Sequence, residues 1–208
     1  MSAERTALLV IDIQNTYLGA DDDPVEDQRW VPFRQRMNKQ VIPRTKQLID
    51  LCRENGLEII FARIACLKVN GRDRSLSQKK PGFNYLLLPK DNDDSQIVSE
   101  LQPKSDDIVL TKTTDSAVTG TNLRLILHNM GINHVIVSGI FTDQCVSSTV
   151  RSLADESFDV TVVEDCCAAA TTALHENELF SINMIYCHVM QLEDIYVYLG
   201  DEKTYSAN

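Results

Sequence analysis

Residues 7–12 read Ala7-Leu8-Leu9-Val10-Ile11-Asp12: five apolar side chains with no polar alternation, closed by a carboxylate. A strand with that pattern is buried on both faces, which is the habit of a parallel sheet covered by helices on each side. Similar runs recur at residues 57–62 (LEIIFA), 107–111 (DIVLT), 134–138 (HVIVS) and 159–164 (DVTVVE), with a shorter one at 186–189. Between them lie helical patterns at residues 41–55, 119–130, 145–156 and 172–184, and a further short helix is read over 192–199. Gly56 and Gly131 stand where two of these helices should stop. Alternating strands and helices make right-handed crossovers, so the expected fold is α/β, a three-layer α/β/α sandwich on a parallel sheet. In such sheets the site lies beyond the carboxyl ends of the strands, so the residues just after each apolar run carry the interest.

The chain has 208 residues, suited to a single domain over 1–208, and shows no repeat, low-complexity stretch or linker. Lys and Arg total 20 against 30 Asp and Glu, a formal charge of −10. So acidic a surface repels phosphate backbones and anionic lipid, which argues against nucleic acid and membrane as partners. No apolar run approaches the roughly 20 residues that span a bilayer. The first residues lack the pattern of a signal peptide, and the six Cys show no disulfide-framework spacing, so a reducing, cytoplasmic setting is expected.

Three reactive side chains fall at or just after strand ends: Asp12, Lys112 and Cys145. Parallel strands bring those ends to one edge, where the three can converge. A Cys at a helix start faces unsatisfied N–H groups that favour thiolate, and a nearby ammonium should lower its pKa further. A nearby carboxylate can take the thiol proton and later give it to a leaving group.

These segments resemble the isochorismatase-like cysteine hydrolases. Residues 7–17, ALLVIDIQNTY, are similar to the family's opening strand with Asp-x-Gln-Asn and an aromatic five places after the Asp. Residues 112–121, KTTDSAVTGT, resemble its lysine segment, and residues 138–146, SGIFTDQCV, its Gly-x-x-Thr-x-x-Cys-Val nucleophile loop. Residues 162–168, VVEDCCA, look like the strand-then-Asp segment downstream. The resemblance implies a six-stranded, Rossmann-like parallel sheet in the order 3-2-1-4-5-6. It implies Cys145 as nucleophile, Asp12 as general acid/base and Lys112 as the partner of Asp12, leaning across from a strand that does not adjoin the first. It also implies a non-proline cis peptide at Ile140–Phe141, an oxyanion hole from the N–H groups of Phe141 and Cys145, and Thr142 bracing the loop. Tyr17 stands where the family has a substrate-stacking aromatic, and Phe141 is a second substrate-binding candidate.

The nicotinamidase branch of the family holds a metal with Asp and His ligands near the end of the second strand. Here that region is Arg63-Ile64-Ala65-Cys66-Leu67, without a His, which argues against a metal and against nicotinamide as substrate. No zinc spacing, Gly-x-Gly-x-x-Gly or phosphate loop is present, so no cofactor is implied. His128, His134, His175 and His188 read as structural or surface residues, and the other five Cys as packing. The expected activity is metal-independent cysteine hydrolysis of a C–N bond in a small amide, ureide or carbamoyl compound through a thioester. The alternatives are isochorismatase proper, which hydrolyses a vinyl ether and has no need of the Cys, and a non-catalytic binding protein on the same fold. The partner is a small-molecule substrate, and relatives imply a homodimer or homotetramer. Two irregular stretches, residues 19–33 and 67–96, lie after strand ends and could cover the site through Trp30, Phe83 and Tyr85.

Overall fold

The computed structural model describes residues 5–18, 30–81 and 86–205. Phe83, Tyr85 and most of the 19–33 stretch lie outside the described residues.

Six strands form one sheet: β1 (Thr6–Ile11), β2 (Glu58–Ile64), β3 (Ile108–Lys112), β4 (His134–Ile140), β5 (Asp159–Ala168) and β6 (His188–Met190). Every pairing is parallel and the order is β3-β2-β1-β4-β5-β6, as the resemblance implied. The sequence shows why β1 takes the centre. Ala7, Leu9 and Ile11 pack into one hydrophobic core and Leu8 and Val10 into another, each at most 2% exposed. The first core is closed by α4 (Leu123–Asn129), α5 (Ser147–Asp155) and α6 (Thr172–Ile182). The second is closed by α1 (Val31–Arg36), α2 (Ile42–Glu54) and α7 (Leu192–Tyr205). A short α3 (Leu76–Lys79) lies in the β2–β3 connection.

Several boundaries differ from the sequence reading. Helix α2 is preceded by a wide π-type turn, Met37–Val41, that joins it to α1. Pro43 sits just inside α2 and has no N–H to continue the ladder, which suits a helix that changes pitch there. Strand β5 runs on to Ala168, past the carboxylates where the apolar pattern ended, because Cys166, Cys167 and Ala168 are as buried as the run before them.

Strand β4 can lie against β1 only through Gly139. Its φ is +126°, and a Cβ there would stand 2.1 Å from the Ile11 carbonyl oxygen. The β4–β5 register also shifts between Val137 and Gly139, so this is where the sheet bends. Gly139→Ala is expected to cost at least about 3 kcal/mol. That corresponds to a melting temperature lower by roughly 6–12 °C in a domain of this size, measured by calorimetry.

Candidate active site

The carboxyl ends of β1, β3 and β4 meet at one edge, and each delivers one reactive side chain. Asp12 comes directly after β1 with a left-handed backbone, φ 54°, while its N–H donates to the Ala62 carbonyl at 2.9 Å. Asp is among the few residues that enter this region at modest cost, and the turn sets its carboxylate at the sheet edge. Gln14 anchors the chain just beyond that turn. Its buried amide donates to the Ile64 and Ser95 carbonyls and accepts from the Ile64 N–H, each at 2.9 Å, tying the ends of β1 and β2 together.

Lys112 is the last residue of β3 and reaches past β2 to Asp12. Its side chain is fully buried, and its ammonium has three acceptors: Asp12 Oδ2 at 2.7 Å, the Thr114 carbonyl at 3.1 Å and Cys145 Sγ at 3.4 Å. Cys145 lies in a π-type turn, Thr142–Val146, that opens into α5. The peptide before that turn, Ile140–Phe141, is cis. The turn is held by Thr149, whose hydroxyl donates to the Cys145 carbonyl at 2.6 Å and accepts from the Ala117 N–H at 2.9 Å.

The electrostatics differ from the sequence expectation. Burial pushes the Cys145 thiol well above its ordinary pKa, the adjacent Asp12 carboxylate pushes it further, and Lys112 offsets only part. Burial likewise raises Asp12, partly opposed by Lys112. Burial works against the Lys112 ammonium, but Asp12 and Cys145 outweigh it and leave the pKa above normal. The reason is a charge count. Asp12 and Lys112 together are neutral, and a thiolate would add an uncompensated buried anion. The resting sulfur is therefore a thiol. Among the described residues Asp12 Oδ1 is buried with no hydrogen-bond partner of normal geometry.

Thr142 braces the loop, and it does so through a residue that the sequence pattern marks as structural or surface. His175 Nδ1 is 2.8 Å from Thr142 Oγ1, and its Nε2 is 3.1 Å from an Arg36 guanidinium nitrogen. Arg36 can only donate, so Nε2 accepts and Nδ1–H points at Thr142. Burial and then Arg36 lower the His175 pKa to about 4, which keeps the ring neutral. Arg36 is itself seated on the carbonyls of Cys167 and Glu164. His134 is also structural, buried against Thr161 at 3.0 Å. A cleft of about 740 Å³ lies behind this chain of contacts, with Arg36, Glu164 and His175 in its wall; Cys145 is not part of its lining.

Around the sulfur the structure brings Tyr17 and Phe141 edge to face, with ring centroids 5.2 Å apart, and Phe33 and Trp30 pack on Phe141 at 5.0 and 5.9 Å. Burial and the charges of Asp12, Cys145 and Asp115 raise the Tyr17 pKa well above normal, so its hydroxyl stays protonated beside the site. Asp115 was missed in the sequence. Its Oδ1 accepts from Cys145 Sγ at 3.8 Å. The signal available was its place three residues beyond the end of β3, on the edge where reactive groups gather. Among the described residues no group of three or more His, Cys, Asp and Glu could hold a metal ion, and all six Cys are unpaired thiols.

The sequence profile of the isochorismatase domain matches residues 6–194. The chain is 27% identical over 208 residues to the ureidoacrylate amidohydrolase RutB of Acinetobacter baylyi, covering 89% of this chain and 80% of that one. It is 34% identical over 161 residues to RutB of Pantoea ananatis, covering 71% and 63%. A cysteine hydrolase from Pseudomonas syringae pv. phaseolicola superposes with a TM-score of 0.82 at 19% identity, over 97% of this chain and 95% of that one. With the profile spanning the whole sheet and the order of its strands as the family has it, the chain belongs to the isochorismatase family of hydrolases.

Proposed function

We propose that this protein is a cysteine amidohydrolase that opens a C–N bond of a small amide, ureide or carbamoyl compound through a thioester on Cys145. One observation carries the reading. The Lys112 ammonium lies within hydrogen-bond reach of both the Asp12 carboxylate and the Cys145 sulfur. A vinyl-ether hydrolase has no use for a sulfur held in that contact. The similarity to two ureidoacrylate amidohydrolases points to the same bond type.

In this reading Sγ attacks the carbonyl carbon as Asp12 takes the thiol proton. The N–H groups of Phe141 and Cys145 receive the oxyanion. Asp12 gives the proton to the departing nitrogen, so ammonia or an amine leaves and the acyl group remains on sulfur. Water, deprotonated by Asp12, then attacks the thioester and returns the thiol with a carboxylate or carbamate. Lys112 keeps Asp12 able to ionise throughout; no step needs a metal.

A hydrolysis screen of ureides, carbamoyl amino acids, biuret, nicotinamide and isochorismate, reading ammonia and pyruvate separately, tests the proposal. Ammonia release with an acyl adduct on the Cys145 peptide supports it; pyruvate release without an adduct overturns it. Activity is expected to survive dialysis against a strong chelator. Loss of activity restored by one equivalent of zinc, iron or manganese would refute the metal-free mechanism.

A further inference from the structure

Helix α6 contributes no reacting group to the mechanism, yet two of its side chains hold the two ends of the turn that carries Cys145. His175 Nδ1 donates to the hydroxyl oxygen of Thr142, the first residue of that turn, at 2.8 Å. Glu178 accepts from the hydroxyl of Ser147, the first residue beyond it. His175 and Glu178 are three positions apart and share one face of the helix. The two anchors are unequal. Glu178 divides its carboxylate between Ser147 and Arg151 and is partly exposed. Thr142 is fully buried and His175 is 5% exposed, so no solvent water takes over that bond if it is lost.

The imidazole is also fixed from behind. Arg36 of α1 donates to Nε2 at 3.1 Å, which places the ring proton on Nδ1, facing Thr142. Arg36 is seated in turn on the Cys167 carbonyl through Nε at 3.0 Å and on the Glu164 carbonyl through Nη2 at 3.3 Å. Both carbonyls belong to β5, where Cys167 and Ala168 pair with Gly139 and Ile140 at the end of β4. The contacts thus form a closed path, from the strand end that the nucleophile turn leaves, through Arg36 and His175, back to the start of the turn. The ring is no proton carrier for the reaction: both nitrogens are engaged, and burial with Arg36 lowers its pKa to about 4. What the path controls is placement. Thr142 directly follows Phe141, whose N–H receives the oxyanion in the mechanism above, and such a donor works only within about 2.7–3.1 Å of the developing charge.

We propose that His175 is a positioning residue: held in one tautomer by Arg36, it fixes Thr142 and thereby aims the N–H groups of Phe141 and Cys145 at the oxyanion. This rests on the amidohydrolase reading for the natural substrate, but oxyanion stabilisation at Cys145 can be measured with an artificial acyl donor.

The experiment compares two reactions of Cys145 in the intact protein, each quantified on the Cys145 peptide by mass spectrometry. p-Nitrophenyl acetate acylates the sulfur through a tetrahedral oxyanion, and p-nitrophenolate leaves. Iodoacetamide alkylates the same sulfur by displacing iodide, and no oxyanion forms. The ratio of the two rates cancels changes in thiol pKa. His175→Phe keeps a ring and removes the donor; it is expected to slow acylation about a hundredfold and to leave alkylation essentially unchanged. His175→Asn puts an amide N–H in the place of Nδ1 and should restore most of the acylation rate. His175→Gln reaches the place of Nε2 instead, leaves Thr142 without its donor and should behave like His175→Phe. Melting temperatures identify the variants that fold, and the Asn and Gln pair decides the matter if the Phe variant does not. With amide or carbamoyl substrates the loss should fall on kcat rather than KM. Acylation and alkylation slowed together would make His175 a support of the fold alone and overturn the proposal, as would equal ratios in His175→Asn and His175→Gln. The expected ratios in a protein that hydrolyses no C–N bond would instead sink the amidohydrolase reading and leave the positioning role standing.

Discussion

Cys145→Ala is expected to abolish the proposed C–N hydrolysis, lowering kcat/KM by about 10⁴-fold or more, with little change in melting temperature. The size reflects the role: without the sulfur no acyl-enzyme can form, and only binding and oxyanion stabilisation remain. The small structural effect reflects the site. Lys112 keeps the Asp12 oxygen and the Thr114 carbonyl as partners when the sulfur goes, so no buried charge is stranded. The variant also loses the acyl adduct in intact-mass spectra. Undiminished turnover in Cys145→Ala would mean that the sulfur is a bystander and that Asp12 works alone, as vinyl-ether protonation requires.

Lys112→Met is expected to lower the rate by about a thousandfold. The side chain is wholly buried, and its loss leaves a carboxylate and a thiol in a low-dielectric site with no cation. Both pKa values then rise further, since burial and mutual repulsion already hold them up. Asp12 binds a proton and ceases to be a base. The ascending limb of the pH–rate profile accordingly moves to higher pH. Asp12→Asn acts in the opposite sense on the sulfur. It removes the anion beside Cys145 and keeps the ammonium, so thiolate forms at lower pH and iodoacetamide labels Cys145 faster near neutrality, while turnover falls as far as in Lys112→Met. The double variant is expected to lose little more than either single one, because members of one proton-transfer unit do not contribute additively. Multiplicative losses would show two independent functions, and an unshifted profile in Lys112→Met would separate the lysine from the thiol.

Most of the fold was legible because most of the apolar runs end where the strands end, within a residue or two, as residues 7–12 do against β1 and 134–138 against β4; β5, which runs on to Ala168, is the exception. The strand order was not legible from periodicity, since apolar runs say that a strand is buried on both faces and not which neighbour it takes. The order came from the resemblance, and with it the expectation that Lys112 must cross β2. Local pattern also failed at the site in instructive ways. A helix-start cysteine beside a lysine argues for thiolate, yet the same sequence buries both and adds Asp12, and burial with a second anion outweighs one cation. His175 read as a structural or surface residue at a helix start and is buried and structural, but its partners, Thr142 and Arg36, lie 33 and 139 positions away and could not be named from local pattern. Asp115 was hidden inside a matched segment whose Lys, Ser and Gly-Thr drew the attention.

The sheet order has a consequence for how the chain is made. Strand β1 is the first to leave the ribosome, yet it is flanked by β2 and β4, and its pairing with β4 joins residues 6–11 to residues 134–139. During synthesis β1 can recruit β2 early, but its second edge stays open until β4, more than a hundred residues beyond β1, has emerged. That edge is apolar on both faces, the kind of surface that invites pairing with another chain. The ion pair between Asp12 and Lys112 spans 100 positions and the contact from Lys112 to Cys145 another 33. No nascent fragment ending before β4 can hold the three groups together, so their cluster forms at once and late, when the two halves of the sheet meet.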